Sequence, residues 1–210
     1  MNMKMLRSWY LTGSVSSYRF NTAFFLACSL SLMLLLCGCS QNTSQAANPA
    51  QASTYSKVVT MDASWSHYYP TLASIKKDAD LGIRGEITQI FSTDASANAP
   101  ISTYFIVTIE EVLWNPHNLS LSAGATIILH QEGGVVNGTL YQADDDPLFQ
   151  LGEQTIVFLR QYSPGHFFVL GRPSGRFKVS GSIVTPISTD RMPLPGGTTL
   201  SSFRTLLLKA

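Results

Sequence analysis

The sequence predicts a mainly β protein with one folded domain, a small barrel or sandwich framed by a short helix at each end. Three observations predict it. Stretches of alternating apolar and polar residues recur between residues 81 and 184, with the period of half-buried strands. Short turn signals such as Asn137-Gly138, Pro164-Gly165 and Ser180-Gly181 separate them. Helical spacing of apolar residues is confined to two short pieces, one before the strands and one after.

The first piece is "PTLASIKKDAD", with Leu72, Ile75 and Ala79 three and four residues apart and Pro70 near its start. "LGIRGEITQIF" then alternates, with Leu81, Ile83, Gly85, Ile87 and Gln89 on one face. "STYFIVTIEEVLW" puts Phe105, Val107 and Ile109 on one face and ends at "NPHN", where Pro116 cannot join a ladder. "ATIILHQ" is a third strand, and "VVNGTLY" reads as a hairpin about Asn137-Gly138. "DDDP" is a polar turn. "QTIVFLRQY" is apolar on both faces and therefore central, and "HFFVLG" follows it. "GRFKVSGSIV" is another hairpin, turning at Ser180-Gly181. The closing piece, "TTLSSFRTLLLKA", spaces Leu200, Phe203, Leu206 and Leu207 as a helix that Thr198 or Thr199 can cap. Six to eight short strands result.

The segment before residue 39 decides where the chain acts. Lys4, Arg7 and Arg19 precede an apolar run over residues 23–36, and no acidic residue occurs before Cys39. That run of 14 residues is broken by Ser29 and Ser31. A spanning helix needs about 20 apolar residues, so the run reads as the core of a signal peptide. Its end, Leu36-Cys37-Gly38-Cys39, resembles the lipobox of bacterial lipoproteins. The resemblance implies cleavage before Cys39 and acylation of its thiol. Each buried methylene of such an anchor contributes about 0.8 kcal/mol, and stable anchoring takes two chains or more. An uncleaved signal anchor is the alternative. A C-x-C metal or redox site is the weaker reading, because no Cys follows position 39.

The expected organisation is a signal peptide over residues 1–38, a lipidated Cys39 with a flexible tether to residue 60, and a barrel domain over residues 61–210. The tether, rich in Ser, Gln, Asn and Ala, lacks the large apolar residues a core needs. Its residues 40–56, seventeen of coil, reach about 20–25 Å. Residues 39–210 hold eleven basic and thirteen acidic residues, a net charge of −2. That balance excludes the basic excess of a nucleic-acid binder. With Cys28 and Cys37 removed and Cys39 alkylated, no disulfide forms, and the domain stands on its core.

The stretches "ADLGIRGEITQI", "TYFIVTIEEVLW", "LGEQTIVFLRQY" and "GRPSGRFKVSGSIV" look like a set of secreted bacterial proteins with an OB-like barrel. More distantly they are similar to the netrin module and to the tissue inhibitors of metalloproteinases. The resemblance spans 106 of the 210 residues and implies a single OB-like, netrin-like barrel. Those inhibitors are held by disulfides, and they bind an enzyme's zinc through an N-terminal Cys at the barrel edge. Here Cys39 lies about 40 residues before the first strand, so no inhibitor residue is carried over.

Catalytic signatures do not appear. His67, His117, His130 and His166 form no H-x-x-x-H or H-E-x-x-H pair, and there is no G-x-S-x-G. His130 reads as a strand-end residue facing solvent. Asp144-Asp145-Asp146 lacks the spacing of a calcium loop and reads as a solvated turn. No catalytic residue, metal ligand or cofactor is assigned. Arg172, Arg176 and Lys178 beside Phe167 are a candidate basic, aromatic binding patch. The alternative buries Phe177 and leaves the basic residues solvated. The aromatics of "SWSHYYP" are read as closing the end of the barrel. The function expected is a binding or interaction module of the cell envelope. Its anchor is on the outer face of the plasma membrane, or in the outer membrane of a two-membrane cell. Its ligand is a protein or glycan. An enzyme with dispersed catalytic residues and an inhibitor of secreted proteases are the alternatives.

Overall fold

A computed structural model describes residues 55–62, 65, 67–96 and 99–210, all within one unit. The proposed signal peptide, Cys39 and most of the tether lie outside these residues. No helix among the described residues is long and apolar enough to cross a membrane.

In chain order the elements are β1 (Lys57–Met61), α1 (Leu72–Asp78), β2 (Leu81–Asp94), β3 (Ser102–Trp114), β4 (Thr126–Glu132), β5 (Gly134–Val136), β6 (Thr139–Ala143), β7 (Gln154–Ser163), β8 (His166–Val169), a 3-10 turn at Arg172–Gly175, β9 (Arg176–Ser180), β10 (Ile183–Pro186) and α2 (Leu200–Lys209). The expected central strands and both helices are present. β1 was not expected: it pairs in parallel with β6, so ordered structure begins before residue 61. Composition gave no sign of it, because a parallel pairing between distant segments has no local signature.

Five strands close a barrel. β2 pairs with β3, β3 with β4, β4 with β8, β8 with β7, and β7 returns to β2. Only the β4–β8 pair is parallel among these five. This is the Greek-key connectivity of an OB-type barrel. β9 and β10 extend the sheet beyond β7, and β1, β6 and β5 form a small second sheet.

Tight coiling has a visible cause in β2. A Cβ on Gly85 would lie 2.6 Å from the carbonyl oxygen of Thr108, so only glycine lets the strands approach so closely. Register shifts flank it on both sides, and Gln89, expected on the inward face, is exposed beyond the shift at residues 87–89. The Asn137-Gly138 hairpin forms as expected, both residues taking positive φ (49° and 72°). The last hairpin turns one residue later than expected, with Ser180 opposite Ile183.

Two cores result. Inside the barrel, Leu81, Ile83, Ile87, Phe105, Val107, Ile109, Leu129 and Phe167 pack together. Outside it, Ile156, Phe158, Phe177 and Val179 meet Ile75 of α1 and Phe203 and Leu207 of α2. β7 serves both, which is why "TIVFL" is apolar on its two faces. Thr71 caps α1 with a reciprocal Thr71–Ser74 pair, and Thr199 caps α2. Tyr69 is buried in the outer core and donates to Asp78.

Candidate functional site

The expected basic patch does not assemble. Arg176 is 1% exposed and Phe167 is wholly buried, so neither can meet a ligand. Phe167 points into the barrel because its partner Gln161 sets that register. Arg176 shares parity with exposed Lys178, but the loop over residues 144–153 folds across it. Its guanidinium pairs with Asp146 at 3.1 Å and Glu153 at 2.9 Å, bonds the Pro147 carbonyl, and lies 3.6 Å over the Phe149 ring. Gln131, also buried, accepts from the Phe149 N–H and donates to the carbonyls of Asp146 and Pro147. The acidic turn is therefore only partly solvated. Asp146 is 4% exposed, and Asp145 accepts from the Trp65 indole. The loop plugs one end of the barrel with Phe149, and these polar groups hold the plug in place. Arg172 is half-buried, paired with Glu132 and stacked 4.9 Å over Trp65. Phe177 is buried as the alternative expected, but of the three basic residues only Lys178 is solvated.

A different set of residues comes together on the outer face of β3, β4, β8 and β7. Alternation that sends Phe105, Leu129 and Phe167 inward turns their neighbours outward. Tyr104 stands opposite His130, and His130 opposite Phe168. The next row aligns Ile106, Ile128 and His166. These six are half-buried. Tyr162 completes the face from β7, at the outward parity it shares with Arg160. The β7–β8 register skips from Gln161 to Ser163, so Tyr162 has no partner residue on β8. Its ring, 49% exposed, lies 6.3 Å from His130, 5.8 Å from His166 and 6.3 Å from Phe168. The Tyr104 and His130 rings stack at 5.0 Å.

His130 is thus not the solvent-facing residue expected. Its Nε2 is buried and has no hydrogen-bond partner among the described residues. Burial, and then the Arg172 cation, hold its pKa below the ordinary 6.5, against a smaller opposing pull from Glu132. The folded state therefore binds this proton less readily than the unfolded chain. The stabilising contribution is present above pH 6.5 and is lost as pH falls through the lowered value. In an NMR titration the His130 ring is expected to show a midpoint below 6.5, and Arg172→Gln to raise it. A midpoint at or above 6.5 would contradict the packing described. Burial also raises the Tyr162 hydroxyl pKa, so that side chain stays neutral.

Sequence reasoning missed this face because Tyr104, His130, Tyr162 and Phe168 lie on four strands spread over residues 104–168. A faint signal existed: each is a large side chain at the outward parity of an otherwise alternating strand. Among the described residues, no group of three or more His, Cys, Asp or Glu side chains is placed to hold a metal. Compared with protein-family models the chain matches none, and no curated protein is similar to it in sequence.

Proposed function

We propose that the chain is a lipid-anchored binding module of the cell envelope and that its ligand meets the Tyr104–His130–Tyr162–Phe168 face. The observation that carries this reading is a half-exposed tyrosine set against the stacked Tyr104–His130 pair and Phe168. Half-exposed aromatic groups gain by being covered, and outer strands of OB-type barrels are a common binding surface. The lipobox resemblance at Leu36-Cys37-Gly38-Cys39 supports the anchor, and the Ser- and Gln-rich stretch after it supports a tether.

A photo-crosslinking phenylalanine at position 162, in cells carrying the full chain, tests both parts. The wild-type background is expected to partition into detergent and to yield adducts from position 162 but not from exposed Lys178. Cys39→Ala is expected to leave the chain in the aqueous phase or stalled before maturation. Unchanged partition of Cys39→Ala refutes the anchor, and equal adducts from both positions refute the face.

A second reading, an inhibitor of secreted proteases, draws on the distant netrin likeness and on the far half of β2. Residues 88–94 are exposed there, including Ile90 and Phe91 at 39% and 55%. Adducts from position 91 with a protease, and none from 162, would favour it.

A further inference from the structure

We propose that this face takes a neutral oligosaccharide chain, laid across β3, β4 and β8 with sugar rings over Tyr162 and Phe168. The inference rests on the reading of the face as a binding surface and adds the class of ligand. Three observations select it. First, the face carries no row of cations. Arg172 at its rim is paired with Glu132 and stacked on Trp65, and Arg160, exposed opposite Phe168, stands apart with a bond to the Asp78 carbonyl. Anionic polymers are held by several cations tracking their backbone, and one exposed guanidinium makes no such track. Second, every strand under the face is paired on both sides: β3 by β2 and β4, β4 by β3 and β8, β8 by β4 and β7. No ladder edge is open beneath it, so an extended peptide cannot add as a strand. Third, ring faces and neutral polar groups interleave. The Tyr162 hydroxyl lies 3.5 Å from His166 Nδ1, and His130 sits between Tyr104 and Tyr162.

Such a surface matches a sugar. One side of a pyranose ring presents C–H groups that cover an aromatic ring, while its rim carries hydroxyls that both donate and accept. Imidazole and phenol groups can do either, so they suit hydroxyls better than they suit a fixed charge. Tyr162 is the specificity-determining residue, because its half-exposed ring touches His130, His166 and Phe168 together.

The test titrates the full chain, purified from membranes in detergent, with neutral hexasaccharides of glucose, N-acetylglucosamine, mannose and xylose. A heparin hexasaccharide, an oligothymidylate and a proline-rich peptide are the competitors. At least one neutral hexasaccharide is expected to bind saturably. Tyr162→Ala should weaken it about tenfold, the size expected from losing one ring contact. Tyr162→Phe keeps the ring and should stay within about threefold. Phe168→Ala provides a second variant, and circular dichroism confirms that each variant is folded. Tyr162-dependent binding of the peptide, heparin or oligothymidylate but of no neutral sugar overturns the ligand class and leaves the binding face standing. No binding to any probe, or binding that ignores Tyr162 and Phe168, overturns both.

Discussion

Replacing Arg176 with alanine is expected to cost about 3–5 kcal/mol of stability, the range found when one partner of a buried ion pair is removed. For a chain of this size each kcal/mol is about 2–4 °C in melting temperature, so a fall of roughly 6–20 °C should be seen by calorimetry. The cause is specific. Asp146 and Glu153 have side chains only 5% and 8% exposed, and both would be left without their cation. Burial already pushes the Asp146 carboxyl above its ordinary range, and the Arg176 charge opposes that push. Without Arg176 the carboxyl rises further. A raised carboxylate contributes stability below its unfolded value of 3.8, and that contribution is lost as pH rises. The deficit of Arg176→Ala is therefore expected to be larger at pH 7 than near pH 4. An apolar triple variant, Arg176→Met with Asp146→Leu and Glu153→Leu, should recover most of the loss, because no buried charge is then unpaired. A loss below 1 kcal/mol at pH 7, or the opposite pH trend, would mean that water reaches the triad.

Phe149→Ala is the second large effect, expected at about 3–5 kcal/mol from lost apolar burial and the cavity left behind. Phe149 is 3% exposed, makes an edge-to-face contact with Phe105 at 5.6 Å, and carries the Arg176 guanidinium on its other face. The two sites share one loop, so their costs should not add. A double-mutant cycle is expected to give a coupling of about 0.5–3 kcal/mol. Hydrogen exchange should show where the damage falls. Amides of β5, β6 and residues 144–153 are expected to lose protection first, while the β2–β3 pairing keeps its own. Uniform loss across the barrel would show that the plug and barrel unfold as one unit, with no separate local opening.

The plug and the outer face show how differently parts of this chain can be read. Ile83, Phe105, Val107 and Leu129 reveal their inward direction by alternation alone, since a strand with one buried face must alternate. "TIVFL" reveals a strand covered on both sides for the same reason. The caps at Thr71 and Thr199 and the Asn137-Gly138 turn are local chemistry, settled within four residues. Arg176 resisted such reading. It has the same parity as solvated Lys178, and what separates them is a loop arriving from about 30 residues earlier. Asp146 looked like one of three equivalent acids and is the one that the loop buries.

The sequence by itself determined the mainly β class, the succession of central strands and the two capped helices. Each of these follows from residues adjacent in the chain or spaced at one short period. Tertiary structure alone decided the barrel's closing order, the parallel β1–β6 and β4–β8 pairs, the burial of Arg176, and the gathering of Tyr104, His130, Tyr162 and Phe168 on one face. Those features depend on which distant segments pair and in what register. Pairing is set by the summed burial of the whole core, which no local stretch encodes.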